Sequence, residues 1–328
     1  MRDEYEASVR DIYGRLPHPL AGHINTMDPD VSRYLAENGW SPKYPGGREF
    51  AVCLTHDIDN LMISTRRGIY NSLENISGGD ISGAFHSMKR SMSRRTNPLF
   101  NFGEIMDLEE KYGARSTFFF LCLNKGERDF NYEISEIGSE LKSISERGFE
   151  IALHGSHFAY KSKRRIADEK RKLEKAAVTS ITGYRNHFLR FIYPDTWDHL
   201  ERSDFKYDST MAYSNTVGWK NGTCHPFHPF DRNKGEFLKI WEIPLAVMDR
   251  TLIGRLGLDH DNSLSLVDQL IDRVRELNGV LTINWHNSEF SNENGPLYGQ
   301  ILEMANSKGA WMTSASDLID HVKDQFDP

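Results

Sequence analysis

Short apolar runs alternate with longer amphipathic stretches along most of the chain. The apolar runs are bounded by glycine, proline or charged residues, and this pattern is typical of parallel strands that are buried on both faces. The stretches between them carry apolar residues at helical spacing. The pattern predicts strands at residues 49–55, 116–121, 149–153, 180–184, 205–207, 240–245 and 280–285, and helices at 30–38, 134–147, 166–178 and 264–277.

This order of elements predicts the α/β class, with a mostly parallel sheet wrapped by helices and either open or closed as a barrel. A last strand and helix are expected within 311–322. Residues 1–48 are polar and rich in turn-forming residues, so we expect an N-terminal extension that packs on a barrel formed by 49–328. A helical pattern at 60–110 predicts a helical insertion after the first strand.

Two aspartates follow the first predicted strand, at its C-terminal end, where the active sites of parallel barrels lie. Asp57 and Asp59 are two residues apart, so on an extended backbone both carboxylates point to the same side. Neighbouring carboxylates repel each other unless a cation or a proton lies between them. A helix cap is the alternative role for one of them.

Histidines follow another predicted strand. Neutral imidazoles are common ligands of zinc. His154 and His157 are three residues apart and would point to opposite faces of a strand, so both could bind one metal only if the chain turns after His154. Gly155 permits such a turn. A core histidine beside a surface histidine explains the same pattern equally well.

Two further predicted strands also end in candidate residues. Arg185 and His187 share one strand face, and His286 follows the apolar run that ends at residue 285. Four strand ends with aspartate or histidine indicate a common site. The sequence contains no G-x-S-x-G, G-x-G-x-x-G, H-E-x-x-H or P-loop motif, which argues against the enzyme classes that depend on them.

The amino-acid composition indicates which kind of partner, which cysteine chemistry and which location to expect. The chain has 328 residues, with 40 Lys and Arg against 47 Asp and Glu, so its formal net charge of −7 argues against nucleic acid as the main partner. Three distant cysteines, without a C-x-x-C pair, indicate neither a disulfide framework nor a zinc knuckle. The charged residues 1–10 do not form a secretory signal, and no apolar run of ~18 residues is present. We therefore expect a cytoplasmic protein without a membrane span.

Six segments, in the right order, resemble the polysaccharide deacetylases of carbohydrate esterase family 4, also called the NodB homology domain. The resemblance covers about residues 49–320 and implies a distorted (β/α)7 barrel. The segments are THDID at 55–59, STFF at 116–119, HGSH at 154–157, GYR at 183–185, FKYDST at 205–210 and LTINWH at 281–286.

The resemblance also implies roles for site residues. Asp57 would be the general base, and Arg185 would orient it. Asp59 and His154 would be metal ligands, and His286 would be the general acid. The implied cofactor is a divalent metal, with zinc first and cobalt, nickel or manganese as alternatives.

Three departures from the family pattern affect this assignment. The paired aspartates are adjacent in the family but are separated by Ile58 here. The second motif is one residue short, with Phe158 where the second histidine is expected, and the proline of the R-x-P-Y motif is missing. The third metal ligand is therefore His157 by first choice, with His187 as the alternative.

The expected function is metal-dependent removal of an N-acyl group, an acetyl group by first choice, from an amino sugar or a polysaccharide precursor. The bond cleaved would be a non-peptide amide. Trp285, Tyr213 and Trp219 are candidates for stacking on the carbohydrate, with core packing as the alternative. Two other functions fit the pattern: a glycosyltransferase that holds a metal through its D-x-D sequence, and a carbohydrate-binding descendant without catalysis.

Overall fold

A curled, all-parallel sheet forms the centre of the protein. The computed structural model describes residues 11–13, 15, 25–62 and 97–326. The strands of the main sheet are β1 (Ala51–Ile58), β2 (Thr117–Leu121), β3 (Glu150–Gly155), β4 (Gly183–Asn186), β5 (Tyr207–Asp208), β8 (Trp241–Glu242), β9 (Leu245–Met248), β10 (Val280–Asn284) and β11 (Trp311–Thr313), and a separate antiparallel hairpin contains β6 (Phe230–Asp231) and β7 (Glu236–Phe237).

The helices follow the strands along the chain, as the alternating pattern predicts. They are α1 (Asp30–Glu37), α2 (Phe102–Glu110), α3 (Gly138–Glu146), α4 (Lys163–Ala177), α5 (Asp195–Glu201), α6 (His260–Glu276), α7 (Asn287–Phe290), α8 (Gly295–Ser307) and α9 (Ala315–Phe326).

The strand order is β8-β5-β4-β3-β2-β1-β10-β9, and β11 pairs with the first half of β1. The two outermost strands, β8 and β9, are separated in the chain only by Ile243 and Pro244, so the sheet must curl until its edges approach each other. The described part of the chain has no ladder between these edges. This architecture confirms the predicted fold class, a distorted barrel of parallel strands surrounded by helices.

The sides of β1 face different environments. Val52 and Leu54 pack outward against the helices, whereas Ala51 and Cys53 belong to a cluster that includes residues of α9. The alternation continues along the strand. His56 points outward, where its Nε2 lies 2.8 Å from the Glu109 carboxylate of α2. Asp57, one residue later, therefore faces the interior of the barrel.

Some boundaries differ from the prediction. The strand predicted at 240–245 consists of two short strands, β8 and β9, because Pro244 lacks the N–H that a continuous ladder needs. The helix predicted at 134–147 starts as a 3₁₀ turn, Ile134–Ile137, before α3. Both differences leave the strand order unchanged.

The N-terminal region contacts the barrel at several described points. In α1, the Val31 amide donates to the Gly222 carbonyl at 2.9 Å, and Ser32 Oγ lies 2.9 Å from His225 Nδ1. The division into an extension at 1–48 and a barrel at 49–328 stays a prediction. Most of the helical insertion expected at 60–110 lies outside the described residues, apart from α2.

Within the ranges that the structure describes, no helix has both the length and the apolar character needed to cross a bilayer.

Candidate active site

Asp57 lies at the end of β1, buried and held in place by two neighbours. Its Oδ1 accepts from Arg185 Nη1 at 2.9 Å, and its Oδ2 accepts from Asn284 Nδ2 at 2.9 Å. Burial opposes ionisation of this carboxyl, but the Arg185 guanidinium, together with His154 and His286, outweighs burial and keeps the pKa of Asp57 below its usual value. The carboxylate is therefore ionised and fixed in orientation.

Arg185, on β4, is completely buried and donates four hydrogen bonds, one of them to Asp57. Its Nε donates to the Ser209 carbonyl and its Nη2 to Ser209 Oγ, both at 2.9 Å, and Nη1 also donates to Thr55 Oγ1. The guanidinium carbon lies 4.4 Å from the ring centroid of Phe119. These contacts fix the position of the Arg185 side chain beside Asp57.

Three residues at the ends of β1, β3 and β4 converge on one point. Asp59, His154 and His187 offer ligand atoms that all lie within 4.8 Å of one another, and all three are buried. Asp59 Oδ1 is 3.3 Å from His154 Nε2 and 3.5 Å from His187 Nε2. Burial opposes ionisation of Asp59, but positive charge on the surrounding histidines, His187 first, outweighs burial and holds the pKa of this carboxyl well below its usual value.

This cluster fits a divalent metal. His154 Nδ1 lies 3.0 Å from the Arg185 carbonyl oxygen, which can only accept, so Nδ1 carries the proton and a neutral ring has its lone pair on Nε2. That lone pair faces Asp59 Oδ1, a buried oxygen without a hydrogen-bond partner among the described residues. Two acceptors that face each other in a buried site are stabilised by a cation between them.

The cluster contains His187, the alternative third ligand, and not His157, the first choice. The strand β3 continues through Gly155, and the chain turns only afterwards, so His157 does not return to the side of His154. His157 Nδ1 lies instead 3.4 Å from Asp129 Oδ2. The geometry thus favours His187, and its role as a ligand stays a proposal.

His187 reaches the cluster because of the backbone that follows β4. Phe188 and Leu189 have φ values of +59° and +54°, a conformation that residues other than glycine adopt rarely. The ring of Phe188 stacks on His187, with centroids 3.9 Å apart. Unusual backbone beside a candidate ligand is a feature that is enriched at functional sites.

His286 follows β10 and is held by a buried aspartate. Its Nδ1 lies 2.7 Å from Asp249 Oδ1, and its backbone N–H donates to Asp249 Oδ2 at 2.5 Å. Burial opposes protonation of the ring, but the Asp249 carboxylate, together with Asp59, outweighs burial and raises the pKa of His286. His286 Nε2 is left facing the site, 3.7 Å from Asp59 Oδ2.

The cavity above these residues has a mixed aromatic and cationic rim. Tyr13 and Arg15 line it from the N-terminal region, and Arg250 and Arg255 line it from the segment after β9. Tyr13 stacks on Phe188, with ring centroids 4.3 Å apart. Residues before the barrel therefore contribute to the mouth of the site.

The three aromatic residues predicted to stack on substrate do not line this cavity. Trp285 and Trp219 have relative exposures of 0% and 1%, so neither ring has a face available to a sugar. Trp285 packs against Tyr298, and Tyr213 is also buried. The geometry supports core packing, the alternative given above, for both tryptophans.

Sequence reasoning did not assign Asp249, Asp129, Asn284 or Arg250 to the site. Asp249 directly follows β9, so the rule of looking at strand ends would have found it if the strand had been placed at Leu245–Met248. Asn284 is the last residue of β10. Asp129 lies in the loop after β2, and no sequence signal marks it.

Comparison with known proteins identifies the fold. No protein-family model matches the sequence, and no curated protein matches it either. Among solved structures, a proposed polysaccharide deacetylase from Mycobacterium smegmatis is similar over 88% of this chain and 96% of its own, with a TM-score of 0.61 and 17% sequence identity.

Two more distant structures have TM-scores of 0.44 and are 12% identical in sequence. One is the carbohydrate esterase family 4 domain of a multidomain xylanase from the hindgut metagenome of Trinervitermes trinervoides, matched over 85% of this chain and 93% of that one. The other is a family 4 pseudoenzyme from Bacillus anthracis, matched over 85% and 67%. Scores this low add nothing to the fold assignment. The similarity to the Mycobacterium smegmatis structure and the strand order together show that the chain has the fold of the polysaccharide deacetylases.

Proposed function

We propose that the protein is a metal-dependent hydrolase that removes an acyl group, an acetyl group by first choice, from the nitrogen of an amino sugar. One observation carries the proposal. Asp59 Oδ1 is buried between two imidazole Nε2 atoms and has no hydrogen-bond partner among the described residues. The fixed carboxylate of Asp57 and the fixed imidazole of His286 lie next to it. The fold, shared with a proposed polysaccharide deacetylase, supports a carbohydrate substrate.

Asp59, His154 and His187 would hold the metal. A carboxylate and two imidazoles suit zinc, and also cobalt, nickel or manganese. When bound, such a cation makes water a stronger acid and polarises the acyl carbonyl. The two proton transfers of the reaction would be carried out by side chains of the protein.

Asp57 would accept the proton of the attacking water. Arg185 and Asn284 each hold one of its oxygens at 2.9 Å, so the carboxylate cannot rotate away. The same contacts keep the carboxylate ionised in a buried position. Arg185 is therefore a positioning residue in this proposal.

His286 would donate a proton to the departing amine, which is a poor leaving group when unprotonated. Asp249 holds Nδ1 and stabilises the protonated ring, and Nε2 is the atom that faces the cavity. Proton transfer by a positioned side chain typically contributes about 10²–10⁴ in rate.

The arrangement favours a hydrolase over the glycosyltransferase alternative. The D-x-D alternative gives no role to the histidines, whereas here His154 and His187 join Asp59 in the metal cluster. A carbohydrate-binding descendant would not need the buried pair formed by His286 and Asp249.

The test is acetate release from N-acetylglucosamine oligomers by protein supplied with zinc. Asp57→Asn should lower kcat by about 10²–10⁴. The matched control is Asp231→Asn, a buried aspartate that does not line the cavity and whose Oδ1 accepts from the Asn233 amide. Acetate release that survives Asp57→Asn would show that Asp57 is not the base.

A further inference from the structure

Two arginines lie at the ends of one π-helical segment at the rim of the cavity. The segment Arg250–Arg255 begins two residues after the end of β9, and its geometry is marked by the Leu256 amide, which donates to the Thr251 carbonyl five residues earlier at 2.9 Å. In this geometry residues five apart lie one turn from each other. Both Arg250 and Arg255 line the cavity.

These arginines lack a dedicated carboxylate partner. Arg255 is exposed, and it forms no ion pair with any residue in the described ranges. Arg250 Nη2 is 3.7 Å from Asp59 Oδ2 and 3.5 Å from Ser288 Oγ, and its side chain is 49% exposed. Its closest carboxylate thus belongs to the metal cluster.

The charges around the cavity do not balance. Three arginines line it, against the two aspartates Asp57 and Asp59. Asp57 is already neutralised by the buried Arg185, which lies beneath the cavity. On the rim, Arg15 is paired with Asp11 at 2.6 Å, whereas a metal bound to Asp59 would withdraw the nearest countercharge of Arg250. An anion from outside would restore the balance.

We propose that Arg250 and Arg255 bind a phosphate group carried by the substrate, so that the acylated amino sugar is a sugar phosphate and not a neutral glycan. The proposal rests on the proposed function. A guanidinium matches a phosphate through two parallel N–H donors, and its charge cannot be lost by deprotonation. A neutral polysaccharide would leave Arg255 without an ion-pair partner among the described residues.

The experiment compares three substrates: N-acetylglucosamine, its 1-phosphate, and the uridine-diphosphate sugar. The wild-type protein, supplied with zinc, should prefer the phosphorylated sugars over the neutral one in kcat/KM. Arg255→Gln should lower that preference about 10- to 100-fold, since one charge-assisted contact is lost. Arg232→Gln removes an exposed arginine outside the cavity lining and should leave the preference unchanged.

A binding measurement separates this proposal from the proposed function. Calorimetry on protein stripped of metal avoids direct contact between phosphate and the cation. If no sugar is hydrolysed but the 1-phosphate binds more tightly than the neutral sugar, and only Arg255→Gln weakens it, the hydrolase proposal fails and the phosphate site stands.

The phosphate proposal is overturned if wild-type protein treats neutral and phosphorylated sugars alike, in hydrolysis and in binding. It is also overturned if Arg232→Gln weakens the preference as much as Arg255→Gln does. Preference for the diphosphate sugar over the 1-phosphate would place the second phosphate at the arginines, and the reverse order would place the first one there. Either order supports the proposal.

Discussion

At the scale of single residues, each candidate catalytic group has a buried partner that fixes its position and charge. Asp57 is held by Arg185, and His286 is held by Asp249. In both pairs the partner shifts the pKa of the candidate group toward the form that the proposed reaction needs. Replacing a partner should therefore impair catalysis although the candidate group itself is still present.

Asp249→Asn tests this dependence. We expect kcat to fall by about 10²–10⁴, the range for loss of an acid catalyst, because the ring of His286 loses its counterion. KM should change much less. Steady-state kinetics and metal content, measured on the same samples, check this expectation.

A double-mutant cycle provides the control. If Asp249 acts through His286, then Asp249→Asn should have little further effect in a His286→Ala background, because residues that act as a unit are not additive. Fully additive losses in the double mutant would show that Asp249 acts by another route.

At the scale of secondary-structure elements, close packing between neighbouring strands places the ligands. A Cβ at Gly155, the end of β3, would lie 2.0 Å from Tyr184 Oη on β4. The Tyr184 hydroxyl is itself fixed by a 2.6 Å hydrogen bond to Asn186 Oδ1. Gly155 is thus needed for strand packing next to His154, and not for the turn that the sequence suggested.

Gly155→Ala should destabilise the protein by about 1–3 kcal/mol, since the buried Tyr184 ring has no room to move. Gly299→Ala, within α8, is the matched control. Its Cβ would meet only Leu108 atoms at 3.8 Å and beyond, so we expect a gain of about 0.5–1 kcal/mol from helix propensity. Urea denaturation compares the two, and equal effects would contradict the packing argument.

The sequence was informative about elements and less so about which side chains meet. Buried parallel strands have an apolar signature that does not depend on the partner, so β1, β2, β3 and β10 could be located and the barrel predicted. The choice between His157 and His187 depended on where the chain turns after β3, and the apolar strand pattern does not show where that turn lies.

Contacts between residues distant in the sequence could not be predicted. Asp249 and His286 are separated by 37 positions, and their contact requires β9 and β10 to be neighbours in the sheet. Asp129 lies in a loop with no periodic pattern. The left-handed backbone at Phe188 follows from tertiary packing and not from local propensity.

At the scale of the whole molecule, the barrel also buries an acidic pair away from the cavity. Asp208 on β5 and Glu242 on β8 are direct neighbours in the sheet, and both are completely buried. Burial raises the pKa of Asp208 to about 6, and burial together with the Asp208 charge raises that of Glu242 well above its usual value.

This pair should make stability depend on pH. Between the unfolded and the folded pKa values, the folded protein holds more protons than the unfolded chain, so the free energy of unfolding falls as pH rises through this window. Asp208→Asn removes one of the two acids. The variant's stability relative to wild type should rise by roughly 1–2 kcal/mol between pH 5 and pH 8.

Asparagine suits this position because Asp208 Oδ1 can still accept from Thr210 Oγ1, while Oδ2 has no hydrogen-bond partner in the described part of the chain. Asp324→Asn, at an exposed site, is the control and should leave the pH dependence as in wild type. Urea denaturation at the two pH values measures the difference. An unchanged pH dependence in Asp208→Asn would contradict the account.

The metal content of the purified protein tests the central claim most directly. Elemental analysis should find about one transition metal per chain in wild type after zinc is supplied, as expected for one site with three protein ligands. His187→Ala should lose the metal, as should Asp59→Ala and His154→Ala. His157→Ala is the matched control and should keep the metal: His157 is also buried, and its Nδ1, like that of His187, lies near Asp129 Oδ2, at 3.4 Å against 3.7 Å. Metal retained in His187→Ala and lost in His157→Ala would contradict the site described above.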